Sequence, residues 1–301
     1  MKKLIIICSM AFFAFHYSPT KAQGLYFGIE GGYGLPSGVQ DIQSWGMQNG
    51  TSTQTNNGTN NSSSRTDNSQ SFSLGSGATI GIYGGYMVTK NIGFQLGIGD
   101  KLSSSTTSTF TNTSSDVSPL PANSSTSTDN YTLTGGSSLQ ITPAIRLCAG
   151  GDGKLQPYSV IGLIIGTSPT ATWEDKNTSS STGNPTNITD EVQTISGGMM
   201  LGFHGSIGLL YKVTDQIGIS AEIFEDVMNW SPSKSVITTY TDNGVSQLSN
   251  MTTSQIETDY GSSATTSSTS SPGSPTQSTN VHFPWSSYGF RISVQYSLGG
   301  K

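Results

Sequence analysis

Residues 288–298 alternate without a break. Tyr288, Phe290, Ile292, Val294, Tyr296 and Leu298 are separated by Gly289, Arg291, Ser293, Gln295 and Ser297. A strand turns successive side chains to opposite faces, so this one has an apolar face and a face that is polar or small. A soluble sheet would turn the apolar face toward a protein core. The opposite arrangement sets the apolar face against lipid and the polar face toward a narrow lumen, and the rest of the chain favours it.

Seven more stretches repeat the pattern. Gly24 to Leu35 sets Leu25, Phe27, Ile29, Tyr33 and Leu35 against Tyr26, Gly28, Glu30, Gly32 and Gly34. A second strand is expected from about Ser73 to Thr89, with Ala78, Ile80, Ile82, Tyr86 and Val88 apolar. A third starts at Ile92 and carries Phe94, Leu96 and Ile98, and Ser/Thr alternation extends it toward Thr111. A fourth spans Tyr131 to Ala149, and a fifth runs from Leu155 to about Trp173. The fifth is apolar throughout from Val160 to Ile165, which leaves its facing open. The sixth spans Glu191 to Val213. The seventh begins at Gln216, and its parity fails beyond Phe224, because Glu225 would then face lipid. Either the membrane ends there or a bulge re-aims the chain.

The connections alternate strictly between long and short. Lys90-Asn91, Gly150 to Lys154 and Thr214-Asp215 are short turns. The long loops cover about 36–72, 103–131, 174–190 and 231–280. An even strand number, with short turns on one side and long loops on the other, is the pattern of outer-membrane barrels. A β-sandwich mixes loop lengths more freely. The expected fold is therefore all-β, an eight-stranded antiparallel up-and-down transmembrane β-barrel with long external loops.

The beginning of the chain reads as a signal peptide, residues 1–22. Lys2 and Lys3 precede an apolar run from Leu4 to Phe15, and Pro19-Thr20-Lys21-Ala22 ends on a small residue. The barrel is then 23–301. Removing Lys2, Lys3 and Lys21 from the 13 basic residues leaves 10 against 18 acidic ones, a mature charge near −8. No basic stripe is present, so nucleic acid is not an expected partner. The mature part keeps one cysteine, Cys148, so no intrachain disulfide can form. No later stretch approaches the length of apolar sequence that a transmembrane helix needs.

Aromatic residues fall toward the strand ends. Tyr86, Tyr211 and Tyr296 lie near the short turns. Tyr33, Trp173, Trp230, Trp285 and Tyr288 lie near the long loops. Two girdles about a strand apart are expected of rings with one wet edge.

Gly28-Ile-Glu-Gly-Gly-Tyr33, Gly81-Ile-Tyr-Gly-Gly-Tyr86, Gln156-Pro-Tyr-Ser-Val-Ile-Gly162 and Arg291-Ile-Ser-Val-Gln-Tyr296 carry a likeness to a known family. The chain resembles the small OmpA/OmpX-like outer-membrane β-barrel proteins over about residues 23–301. The resemblance implies location in the cell outer membrane of a Gram-negative organism. It also implies contact with outer-membrane lipid and insertion by the outer-membrane assembly machinery, which reads an alternating aromatic C-terminal strand. This chain departs from that pattern by ending Leu298-Gly-Gly-Lys301. Members of the family serve as anchors, adhesins, narrow pores or, rarely, lipid-modifying enzymes.

An eight-stranded barrel has room inside only for side chains or one small ligand. Glu30, Glu222 and Arg291 are expected at similar heights on adjacent strands, with Arg291 paired to Glu30, Glu222 or both. Arg146 and His204 also point inward, which makes Glu30, Arg146, His204, Glu222 and Arg291 a candidate lumen cluster. One reading is a polar plug that fixes register; the other is a gate whose pair exchange opens a narrow water path. The mature histidines, His204 and His282, make no metal site, and no cofactor motif is present. His282 near Ser286, Ser287 and Asp259 suggests a rim hydrolase only weakly, so no enzyme is expected. The Asn/Ser/Thr-rich loops read as hydrated, disordered surface or as a contact surface for an extracellular ligand. The functional expectation is a structural or adhesive surface protein. A narrow porin-like channel is the alternative, and a lipid-modifying enzyme at the rim is a third.

Overall fold

The computed structural model describes residues 24–38, 40–41, 54–55, 60–68, 71–103, 105–117, 123–149, 153–167, 169–261 and 272–298. The expected signal segment and most of the first long loop lie outside these residues. Eight strands form the barrel: β1 (Leu25–Pro36), β2 (Gly77–Met87), β3 (Ile92–Ser103), β4 (Ser138–Cys148), β5 (Leu155–Thr167), β6 (Met200–Lys212), β7 (Ile217–Trp230) and β8 (Ser287–Leu298). Each pairs antiparallel with its neighbours in sequence, and β8 pairs with β1, which closes the ring.

The register fixes the shape. Partners followed around the ring run Tyr288, Glu225, Gly205, Ile161, Ile145, Phe94, Tyr86, Leu25 and Leu298. The path returns to β8 ten residues from where it left, at Leu298 instead of Tyr288. Such a stagger tilts the strands by about 40°. Tyr288 and Tyr296 are then separated by roughly 20 Å along the barrel axis, close to the apolar thickness that small barrels present.

The apolar face is outside all the way round. Phe290 and Ile292 are 57% and 56% exposed, and Ile29, Ile82, Phe94, Ile161, Phe203, Ile207 and Ile223 are exposed likewise. Arg146, His204, Gln140 and Gln295 are buried within. A continuous exposed belt of this kind is stable only when hydrocarbon covers it. The fold is that of a small outer-membrane β-barrel. The facing of β5, open in the sequence, is settled: Tyr158, Val160 and Ile164 point in, while Ile161 and Leu163 point out. In the β2–β3 and β6–β7 turns, the hydroxyls of Thr89 and Thr214 accept the backbone N–H groups two and three residues on.

Three expectations are corrected. First, β7 keeps its parity to Trp230 with no bulge, so Glu225 faces outward and Asp226 inward. Second, Trp230 and Trp285 are fully buried and do not belong to a girdle. Third, much of the polar loop sequence is strand. Asn60–Asn68, Ser105–Val117, Asn123–Gly135, Thr170–Ser181, Asn187–Ser196, Lys234–Asp242, Glu257–Gly261 and Thr276–Thr279 pair in that order as an external sheet. Threonine suits strands, and five of these segments, from Ser105–Val117 to Lys234–Asp242, continue barrel strands already held in register, so little further ordering is required. For the same reason several barrel strands begin or end inside the spans expected from sequence. Ser73–Ser76 precedes β2 and folds over the barrel mouth; Tyr131 and Glu191 belong to the external sheet, not to β4 and β6.

Candidate functional site

The barrel interior is filled in three tiers. The outermost is apolar. Trp230 ends β7, and Trp285 and Phe283 come from the segment that enters β8. Phe72 and Leu74 come from the segment before β2. Met200, Met228 and Ile164 belong to the barrel, and Leu133, Ala171 and Ile195 descend from the external sheet. The rings of Trp230 and Trp285 meet edge to face at 5.5 Å, and Trp230 lies 5.2 Å from Phe283. Backbone bonds tie the two entering segments down: Leu74 N–H donates to Pro284 O, and Trp285 N–H to Met228 O. The Ser73 hydroxyl donates to Ser286 O, and the Ser286 hydroxyl accepts from Met228 N–H.

The middle tier is ionic and centres on Asp226. One carboxylate oxygen accepts from Lys101 Nζ at 3.3 Å and from Arg291 Nη2 at 3.2 Å. The other lies 2.7 Å from His204 Nδ1. Lys101 also donates to the Ser287 hydroxyl at 2.7 Å. Arg291 Nη1 is 3.5 Å from Glu222 and 3.9 Å from Glu30, and the guanidinium lies 4.1 Å over the Phe224 ring. Tyr158 and Ser206 donate to the other Glu222 oxygen. Two bases and His204 thus face three carboxylates in a largely buried space. Pairing of this density offsets the cost of burying the charges.

The innermost tier, toward the short turns, surrounds Arg146. Its guanidinium lies 4.1 Å over Tyr158 and 5.0 Å over Tyr26, and it donates to Gln295 at 2.8 Å. Tyr83 hydrogen-bonds Ser293, which also bonds Ser220. The tyrosine rings fit because the neighbouring strand is bare beneath them. A methyl on Gly28 would lie 2.3 Å from the Tyr83 ring, and one on Gly208 2.5 Å from the Tyr158 ring. Between the ionic and lower tiers, walled partly by Gly97 and Gly99, is a cavity of about 40 Å³. That is room for roughly three waters and not for a passage.

Of the five lumen residues named from sequence, Glu30, His204, Glu222 and Arg291 lie in the middle tier. Arg146 does not join them; it makes no ion pair within 4 Å among the described residues and is held by aromatic faces instead. Sequence reasoning missed Asp226 and Lys101. Both sit on the inward parity: Asp226 lies just past Phe224, where the parity of the seventh strand was read as failing, and Lys101 lies in the part of the third strand that was read as rising above the membrane. At the rim, His282 hydrogen-bonds Ser231 and not Ser286 or Ser287, which are buried in the upper tiers. Asp259 bonds Gln277. The hydrolase arrangement suggested by sequence is not assembled. Among the described residues no group of His, Cys, Asp and Glu is placed to hold a metal ion.

Outside the membrane two carboxylates are perturbed, and burial raises both Glu191 and Asp175. Burial, followed by the negative charges of Asp129, Glu191 and Asp190, pushes Asp175 up to about 6. Above pH 6 Asp175 is ionised in both folded and unfolded chains, and the folded sheet carries the whole penalty. As pH falls from 6 toward 4, the folded chain takes up its proton first and the penalty disappears. Asp175 is partly exposed, so screening reduces the effect to about 1 kcal/mol. Asp175→Asn is therefore expected to raise amide hydrogen-exchange protection of residues 170–196 at pH 7.5 and to change it little at pH 4.5. Equal protection in both proteins at pH 7.5 would show that the repulsion is not felt.

No family model and no curated protein matches this chain. Among solved structures it is similar to the outer membrane protein OprG from Pseudomonas aeruginosa, with 11% identity, a TM-score of 0.37, and coverage of 93% of this chain and 98% of that one. The barrel assignment rests on the strand pairing and outward belt of this chain itself.

Proposed function

We propose that this chain is a surface protein of the outer membrane whose barrel is a closed anchor and whose working part is the external sheet. The observation that supports this is the filled interior: an aromatic lid, an ionic tier and a tyrosine–arginine tier follow one another, with a cavity of about 40 Å³ between the last two. The external sheet meanwhile extends the barrel wall outward on five of the eight strands' continuations and presents polar side chains to the medium. Structural and adhesive roles suit this division; catalysis is no part of the proposal. The partners are outer-membrane lipid around the belt, the assembly machinery acting on β8, and an extracellular ligand on the sheet. A signal peptide cleaved after Ala22 delivers the chain.

Planar-bilayer recording tests the anchor. The purified protein is expected to give no unitary conductance steps in molar salt at moderate voltage, and Arg291→Ala is expected to stay silent because the lid and the Arg146 tier remain. Reproducible steps from the unmodified protein would instead establish the narrow channel.

A further inference from the structure

The inner face of the external sheet rises directly from the aromatic lid. Leu133, Ala171 and Ile195 are in the lid, and Trp173 packs against it. One row further out, Tyr131, Asp175, Glu191 and Tyr240 are cross-strand partners on four adjacent strands. The next row is Asp129, Asn177, Thr189 and Asp242. Register partners share a face, so these side chains form one surface. The Tyr131 and Trp173 rings are 5.3 Å apart and tilted by 34°. Asn177 donates to Asp129, which holds that carboxylate in the row.

Charge on this surface has one sign. The two bases of the four strands, Lys176 and Lys234, alternate to the opposite face, where Lys234 pairs with Glu257. Aromatic rings beside carboxylates attract a cation twice, through the ring faces and through the ion pair. The carboxylates are spread along rows and do not converge, and no metal-holding group occurs among the described residues. A row over four strands is about 14 Å long, enough for several residues of extended chain.

We propose that this aromatic and acidic face binds a basic polypeptide segment, with lysine or arginine side chains over Tyr131, Trp173 and Tyr240 and paired to Asp175 and Glu191. The inference rests on the reading of the sheet as the working part and supplies the chemistry of its ligand. Charge complementarity selects this occupant over an acidic or neutral one.

The test is calorimetric titration of the full-length protein, in zwitterionic detergent, with pentalysine at low salt. Calcium, pentaglutamate and a neutral oligosaccharide are run in parallel. Pentalysine alone is expected to bind, and Asp175→Asn/Glu191→Gln to weaken it at least tenfold. Glu174→Gln/Asp215→Asn removes the same charge elsewhere and is expected to weaken it less than twofold. Tyr240→Ala, which leaves the charge unchanged, is expected to weaken it several-fold. Equal losses in the two charge pairs, an unchanged Tyr240→Ala, binding of calcium or oligosaccharide in place of pentalysine, or no binding at all would each overturn the proposal. None of these outcomes bears on bilayer silence, so the anchor reading stands or falls separately. Heat-modifiable gel migration of every variant confirms that the barrel is closed before titration.

Discussion

Asp226→Ala is expected to destabilise the barrel by about 3–5 kcal/mol, the usual cost of removing one partner from a buried ionic group. Among the described residues Asp226 is the only carboxylate in direct contact with Lys101, Arg291 and His204 together. Lys101 and Asp226 are almost completely buried. Without Asp226, Lys101 keeps only the Ser287 hydroxyl, and Arg291 keeps the longer contacts to Glu222 and Glu30. The loss is read as a lower urea midpoint for the folded band in unheated gels. Asp226→Asn should recover part of it, since the amide can still accept from one cation. An Asp226→Ala midpoint equal to that of the unmodified chain would show that the cluster adds nothing to the fold. Arg291→Ala should cost less, because Asp226 retains Lys101 and His204.

Trp230→Ala is the second large effect, at about 3–5 kcal/mol for a fully buried ring. Trp230 packs against Phe283 and, edge to face, against Trp285, and its indole N–H donates to Gly197 O at 2.8 Å. Its loss removes the centre of the lid, and the segments carrying Phe72 and Trp285 lose their packing with it. The damage should be local. Hydrogen exchange near 72–76 and 281–286 is expected to rise strongly while β1–β8 stay protected, and bilayer recordings should remain silent because two tiers lie below. Uniform loss of protection in all strands would show that the lid and the barrel are one cooperative unit.

The barrel was legible because a period of two survives wherever one face meets hydrocarbon. Phe290, Ile292 and Val294 cannot change places with Arg291 and Ser293 without reversing every neighbour. The pairing of Arg291 with β1 and β7 followed from counting outward from the short turns. Asp226 was hidden by Glu225, a charge on the outward parity level with Tyr288. It reads as the end of a strand, although a carboxylate at the membrane edge costs little. Trp230 and Trp285 were misread because aromatic rings near a strand end suit a girdle and a lid equally well, and only parity across the lid segments separates the two. The external sheet was the least visible part. Its Ser and Thr side chains are polar on both faces, so beyond the Ser/Thr alternation that carries the third strand toward Thr111 little marks the strands. Their order comes from the barrel strands that they continue.

Spin labels placed singly along residues 288–298, in a Cys148→Ser background, test the account most directly. Collision with oxygen is expected to be high at 290, 292, 294 and 296. At 289, 291, 293 and 295, collision with both oxygen and a water-soluble nickel complex is expected to be low. That pattern is a lipid-facing belt around a filled interior. High nickel access at 291 and 293 would instead reveal an open aqueous lumen. Low oxygen access at 290 and 292 would place that face against protein, and in that case the chain does not form a membrane barrel.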